Sequence, residues 1–501
     1  MKVRLELFQS IGLTLVSRII GFLRLIVETS LLGLTGITDA YQAAFRLTNF
    51  FREFFGEGAL GSVFIPMHAN CTETEDTKSA QNFFWCVVLA TIVSSTLIVV
   101  LLLLNLDWII RIWMPDLPEK SVHSVLKLTP LMLPYLIFIA TASLFMIMHQ
   151  IQGRFIFSSI HPIIFSLSVI IAGLWNPRNN VAESLACGVT VGGIAQLILL
   201  SLTIKLKLPE RAFNKKQIPR IKKLIILLLP ILLALLVNRT NRLVDLFFAS
   251  SLITGSLSAL AYSFILINVP MGLISAASNA VFYPIISKLK AENKHQDYEK
   301  AIISNLSFLS LFGSWAVGLI FFNSLHLVEF LFITCPKLLG MSSHFDTQAA
   351  VLMSESLQCY SIGLSFLILN PYLVRLYHSH LNTKFPARIA ILMVLLNIIL
   401  NWHLTPIYKH QGIAFATSVV ALSYCTLLLA NLNRLKYLHT NSQQLLGWFS
   451  KLVTSLIVFS FFSSLNLPFT PFLQILLGSL IYFSFWHLVE LKSNHDIHPL
   501  T

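Results

Sequence analysis

Apolar runs separated by short polar breaks repeat along the whole chain. A helix needs about 17–25 such residues to cross the hydrocarbon of a bilayer. The pattern predicts about fourteen spans, near 8–33, 38–67, 82–105, 124–150, 158–177, 181–204, 224–250, 256–286, 301–332, 350–374, 389–407, 412–432, 446–466 and 470–490. Lipid offers no hydrogen bonds to an open backbone, so these runs are expected to be helices, giving an all-α polytopic membrane protein. A long basic break after the sixth span divides six spans from eight. The predicted organisation is an N-terminal block 1–206, a connection 207–223, a second block 224–434 and an appended pair 446–490. The last two spans carry almost no intramembrane charge. Two blocks of this kind are a common transporter plan, with the substrate site near the midplane.

Composition agrees with the pattern. The chain is 55% hydrophobic and only 11% charged, where a soluble protein would be about 25% charged. Most loop Lys and Arg fall on even-numbered connections. The strongest is the sixth, with Lys205, Lys207, Arg211, Lys215, Lys216, Arg220, Lys222 and Lys223 against Glu210. By the positive-inside rule both termini are expected in the cytoplasm. The net charge of +13 then reports orientation, and no nucleic-acid partner is implied. The first apolar run contains two arginines and no small-residue cleavage site, so no cleavable signal is expected. Six cysteines lie scattered without C-x-x-C spacing, which argues against a metal cluster or a disulfide framework.

What changes the picture is where the remaining charges sit. The first two spans carry Arg18, Arg24, Glu28, Asp39, Arg46, Arg52, Glu53 and Glu57. One such charge at a bilayer centre costs about 2.5–3.5 kcal/mol on insertion scales, so a polar cavity between helices is expected. At 100° per residue, Asp39, Arg46, Glu53 and Glu57 share a narrow arc of the second span. Arg52 points elsewhere, nearer Asn49, and Arg24 and Glu28 are one turn apart and can pair. The carboxylates suit interhelical locks. Arg18, Arg24 and Arg52 exceed local neutralisation, and guanidinium is suited to bidentate phosphate binding. A second cluster, Arg239, Arg242 and Asp245, lies in span seven at the start of the second block, where the other wall of a site would be; an internal Arg242–Asp245 pair is the structural alternative. No H-E-x-x-H, G-x-S-x-G or phosphate-loop motif is present, so no enzyme is expected.

The stretches Ser17-Arg18-Ile19-Ile20-Gly21-Phe22-Leu23-Arg24, Thr38-Asp39-Ala40-Tyr41 to Arg46-Leu47-Thr48-Asn49-Phe50-Phe51-Arg52, and Gly56-Glu57-Gly58-Ala59-Leu60 resemble the MurJ/MviN family of bacterial lipid II flippases. Val189-Thr190-Val191-Gly192-Gly193 and Tyr283-Pro284 are weaker likenesses. The resemblance implies a MATE-like two-lobe core within the multidrug/oligosaccharide-lipid/polysaccharide exporter superfamily, with the C-terminal helix pair forming a lipid-tail groove. It maps essential cavity residues onto Arg18, Arg24, Asp39 and Arg52, with Glu28, Arg46, Asn49 and Glu57 as supporting candidates. Span eight, from Tyr262 to Pro270, lacks the family's charges, and Arg239 or Arg242 is expected to replace the missing cation. Relatives bind sodium through spans seven, eleven and twelve, which here puts Asp245, Asn397, Asn401 and Thr417 at the ligand positions; Asn401 replaces a carboxylate and weakens that site.

The expected function is therefore export of lipid II, an undecaprenyl-diphosphate-linked precursor of peptidoglycan, across the inner membrane by alternating access. Sodium or the membrane potential would couple the cycle, with membrane lipids and cell-wall synthesis proteins as partners and no organic cofactor. The competing readings are an exporter of another polyprenyl-linked polysaccharide, a polytopic glycosyltransferase and a non-transporting cell-wall scaffold. Arginines rather than carboxylates in the spans argue against a drug-cation exporter. The loops are too short for a catalytic domain.

Overall fold

A computed structural model describes residues 2–56, 59–74, 77–175, 180–204, 217–292, 294–380, 382–435, 442–464 and 471–495. Within these ranges the chain is helical, with no strand among the described residues. In order the helices are α1 (Lys2–Leu32), α2 (Gly36–Gly56), α3 (Ala59–Thr74), α4 (Thr77–Leu104), α5 (Leu106–Trp113), α6 (Glu119–Met132), α7 (Tyr135–Ile151), α8 (Phe155–Trp175) and α9 (Val181–Leu202). There follow α10 (Ile218–Ala249), α11 (Ser256–Ala291), α12 (His295–Glu329), α13 (Cys335–Leu338), α14 (Thr347–Ser379), α15 (Lys384–Arg434), α16 (Ser442–Ser464) and α17 (Pro471–His495).

Each expected span coincides with helix. The expected span 38–67 is helical on both sides of Glu57 and Gly58, which lie outside the described residues. Spans eleven and twelve are the two halves of α15, which breaks at Lys409 with φ +52°. The chain doubles back there: a Cβ on Gly412 would sit 2.6 Å from the Leu404 carbonyl oxygen, so only glycine fits the corner. Span four is α6 and α7, separated by Pro134, whose missing N–H interrupts the helical ladder. Nine helical segments among the described residues are long and apolar enough to cross a membrane. Helices α1 and α2, which carry the charges of the first two spans, are not among those nine.

The helices gather into two compact units. The first holds residues 1–258 and 332–346, the second 259–331 and 347–501. In the first, Phe64, Phe83, Phe84, Leu144, Ile147 and Leu200 form an apolar core linking α3, α4, α7 and α9. In the second, α12, α14 and α15 pack through small and hydroxyl residues. Ser418 on α15 accepts the Gly363 N–H at 3.1 Å and donates to the Cys359 carbonyl at 2.6 Å. Lipid supplies no hydrophobic drive between helices, so such close contacts and hydrogen bonds (about 0.6 kcal/mol each) hold them together.

The appended pair α16–α17 rests on α12. Trp315 donates to Ser479 at 2.9 Å and Tyr482 to the Leu311 carbonyl at 3.1 Å. One charge was hidden in this apolar stretch: Lys451 is buried, donates to the Ser307 carbonyl at 3.2 Å and lies over the Trp486 ring at 5.5 Å. An outward-turned cavity of about 440 Å³ on α17 is lined by Ile475, Leu476, Ser479, Leu480, Phe483 and Ser484.

Candidate functional site

The first unit gathers four of the sequence-predicted residues, Arg24, Glu28, Asn49 and Arg52, near Tyr135. Arg24 and Glu28 face the same side of α1 because they are one turn apart. They pair at 3.6 Å, with the Glu28 carboxylate also receiving the Tyr41 hydroxyl at 3.5 Å. Glu28 is buried and Arg24 is largely so, with 19% of its side chain exposed. The guanidinium lies over two rings, Phe165 at 5.1 Å and Phe45 at 5.7 Å. A desolvated cation over aromatic faces gains about 2 kcal/mol or more, which offsets part of the cost of burying it. Its Nε and Nη1 are buried and make no hydrogen bond. Arg24 thus holds spare donors in a place closed to solvent.

On α2, Arg52 turns to Asn49 as its spacing predicts and donates to Asn49 Oδ1 at 2.7 Å. The hydroxyl of Tyr135 lies close to Arg52 and to Arg24 as well. The Tyr135 ring meets Phe165 at 5.1 Å. Two arginines from two helices therefore flank one aromatic pair.

Asp39 begins the opposite face of α2. Its carboxylate accepts the Gly255 N–H at 2.6 Å, the Ser258 N–H at 2.8 Å and the Ser258 hydroxyl at 2.6 Å. These donors are the first turn of α11, whose unpaired N–H groups and positive dipole end attract an anion. Gly255 holds φ +90°, a conformation that glycine adopts without strain. Asp39 thus caps the start of a helix more than two hundred residues away in the chain. Arg46, half-buried two turns along, lies within the reach of its charge.

The other predicted residues are placed as follows. Arg18 is exposed on α1. Glu57 lies outside the described residues, as do the side chains of Glu53 and Arg239. Arg242 is exposed and Asp245 half-buried on α10, both engaged with neighbours. Asn397 and Asn401 are buried and bonded to each other at 3.2 Å, while Thr417 donates to the Ile413 carbonyl at 3.2 Å. These are neutral donors already engaged, and a hard-cation site wants carboxylate oxygens. Among the described residues no three His, Cys, Asp or Glu side chains gather at a metal-holding distance.

Sequence reasoning missed Tyr135, Phe165 and the Gly255–Ser258 turn. Phe45 stood inside the quoted motif, but an aromatic residue in an apolar span carries no signal of its own. The uncharged start of span eight concealed backbone donors, which a sequence does not distinguish from those of any other helix end. The Gly192-Gly193 pair was the one visible clue to the aromatic residues.

Comparisons with known proteins bear on the family and the fold. The family model described as "MurJ: Lipid II flippase MurJ" matches residues 29–484. The "Probable lipid II flippase MurJ" of Vibrio cholerae is 29% identical over 441 residues, covering 84% of this chain and 81% of that protein. Its counterpart in Buchnera aphidicola subsp. Schizaphis graminum is 27% identical, covering 92% and 89%. Among solved structures, a lipid II flippase MurJ in an inward closed conformation superposes with TM-score 0.83 at 23% identity, covering 97% of this chain and 99% of that one. An inward-facing MATE transporter of the MOP superfamily follows the same fold at TM-score 0.66 and 12% identity, covering 83% and 95%. The expected MATE-like fold is therefore the observed one, and the chain, an all-helical membrane protein, belongs to the lipid II flippase MurJ family.

Proposed function

We propose that this protein moves lipid II from the cytoplasmic to the outer leaflet of the bacterial inner membrane, with the diphosphate held by Arg24 and Arg52. It acts as a transporter and catalyses no covalent step. The observation that carries the reading is the buried Arg24 guanidinium, whose Nη1 donors have no acceptor and whose Nε has the Glu28 carboxylate no nearer than 3.6 Å. Leaving buried donors unmade costs about 1–3 kcal/mol or more for a charged group. A diphosphate oxygen would satisfy them, and charge-assisted bonds to phosphate are the strong kind.

In this reading Asp39 is a gate. Its three hydrogen bonds to the start of α11 fasten one closed state, and releasing them opens the other. Arg18, Arg46, Arg239 and Arg242 would guide the anion or follow it through the cycle. The polyprenyl tail stays in lipid along the α17 cavity. With both termini in the cytoplasm, the membrane potential acts on the moving charge, worth about 2.3 kcal/mol per elementary charge per 100 mV. Sodium is not assigned a step, because Asn397, Asn401 and Thr417 add no carboxylate to that of Asp245. Replacing sodium with potassium in proteoliposomes is expected to leave transport unchanged. Cell-wall synthesis proteins that make or use lipid II would be the natural partners.

The test is rescue of a bacterium depleted of its own lipid II flippase, reading lipid II exposed on the outer leaflet. The intact chain is expected to restore exposure. A well-inserted chain that restores none would refute lipid II as the substrate.

A further inference from the structure

We propose that Tyr135 and Phe165, seated in a recess opened by Gly192 and Gly193, are positioning residues that hold Arg24 and Arg52 as a pair. This rests on the reading that the two arginines take a diphosphate. The connection runs through four helices of the first unit. Arg24 on α1 lies over Phe165 on α8, Phe165 meets Tyr135 at the start of α7, and the Tyr135 hydroxyl lies beside Arg52 on α2. Tyr135 is 2% exposed, so its ring has almost no freedom to leave.

The recess behind the rings is built by α9. A Cβ on Gly192 would come 2.9 Å from Phe165 Cδ2 and 3.3 Å from Phe165 Cα. One on Gly193 would come 2.6 Å from Tyr135 Cδ2 and 3.3 Å from Phe138 Cβ. Neither ring can retreat by rotating alone, because backbone or a neighbouring side chain stands behind each contact. A methyl group on α9 would therefore be transmitted through the rings to the arginines. Pro134 ends the helical ladder one residue before Tyr135, which lets the chain set that ring at an angle α6 would not give.

The chemistry explains why rings serve here rather than more carboxylates. A carboxylate would neutralise a guanidinium and occupy its N–H edge. An aromatic face supports the charge from above and leaves the rest of that edge open: Glu28 stands 3.6 Å from Arg24 Nε, and Nη1 has no acceptor. A monophosphate can be satisfied by one guanidinium, whereas a diphosphate gains from two held in register. The shelf should therefore govern discrimination between the two headgroups more than affinity for either.

The experiment uses the full chain in nanodiscs and measures binding of undecaprenyl diphosphate and undecaprenyl monophosphate, with thermal stability alongside. The wild type is expected to prefer the diphosphate about tenfold, the size of one additional charge-assisted bond. Phe165→Leu and Gly193→Ala are expected to cut that preference to about threefold or less, with Phe165→Tyr retaining it. Tyr135→Phe, which loses only the hydroxyl beside Arg52, should fall between. If Gly193→Ala does not fold, Phe165→Leu decides the matter. Equal weakening toward both lipids, or wild-type preference in Phe165→Leu, would reduce the shelf to packing and overturn the inference. A wild type without preference would overturn the diphosphate reading itself, and the shelf's role with it.

Discussion

The two units solve the same problem, holding helices together in lipid, with different chemistry. The first buries full charges: Glu28 and Asp39 are 5% exposed, and Arg24 sits between a carboxylate and two rings. In the second, the described contacts between α12, α14 and α15 are made largely by neutral groups, such as Ser418 on Gly363 and Cys359, or Asn370 on the Ala421 carbonyl at 3.0 Å, while the partly exposed Glu355 of α14 meets His410 of α15 at 3.4 Å. Neutral hydrogen bonds are enough to fasten helices. Charges cost several times more, so where they are kept the reason is to be sought in what they bind or release.

The largest effect should come from the residue whose donors are spare. Arg24→Ala is expected to lower lipid II transport by about a hundredfold or more, the loss of a bidentate charge-assisted contact. Arg24→Lys should recover only part, because an ammonium keeps the charge but not the planar pair of donors. Both would be read in proteoliposomes beside a thermal melt. Equal transport by wild type and Arg24→Ala would remove Arg24 from the site and blunt the contrast between the units.

Asp39 comes next. Asp39→Asn keeps the shape but removes the charge that the α11 turn attracts. Each charge-assisted bond is worth about 1.5–3 kcal/mol, so transport should fall on the order of tenfold. A cysteine pair placed near Asp39 and Ser258 would also cross-link less readily in the variant. Unchanged cross-linking would mean that Asp39 serves only to cap the helix.

These two residues also show how much the sequence could say. Apolar periodicity located the long helices but not the short α5 and α13, and the cost of intramembrane charge pointed to eight residues of the first two spans, among which the family resemblance picked out Arg18, Arg24, Asp39 and Arg52. The pairings Arg24–Glu28 and Arg52–Asn49 follow from spacing along one helix, which a sequence displays directly. The partner of Asp39 does not, since it lies more than two hundred residues away and consists largely of backbone N–H groups. The aromatic support of Arg24 was hidden for a related reason: Phe165 and Tyr135 are ordinary apolar-span residues until the fold brings them under a guanidinium. Lys451 was overlooked because one lysine barely lowers the hydropathy of its span.

For the second unit the comparison predicts losses of stability rather than of transport. A Cβ on Gly363 would stand 2.6 Å from Ser418 Cα, a backbone atom that cannot step aside. Gly363→Ala is expected to cost about 1–3 kcal/mol through overpacking, seen as a lower melting temperature with near-normal transport per folded molecule. A larger loss of transport than of stability would mean that the α14–α15 contact moves during the cycle.

Lys451 gives the smallest effect and the sharpest check on the contrast, because it is a buried charge in the neutral unit. Unlike Arg24, it has a carbonyl acceptor in Ser307 and a ring in Trp486, and its role is accounted for by pinning α16 to α12. Replacing a satisfied buried charge by an apolar residue of similar volume is often neutral or stabilising. Lys451→Met is therefore expected to shift stability by less than about 1 kcal/mol and transport by less than about twofold. If it instead abolished transport in a folded protein, then charge in the second unit would be functional as well. The division of labour between charged and neutral units would have to be abandoned.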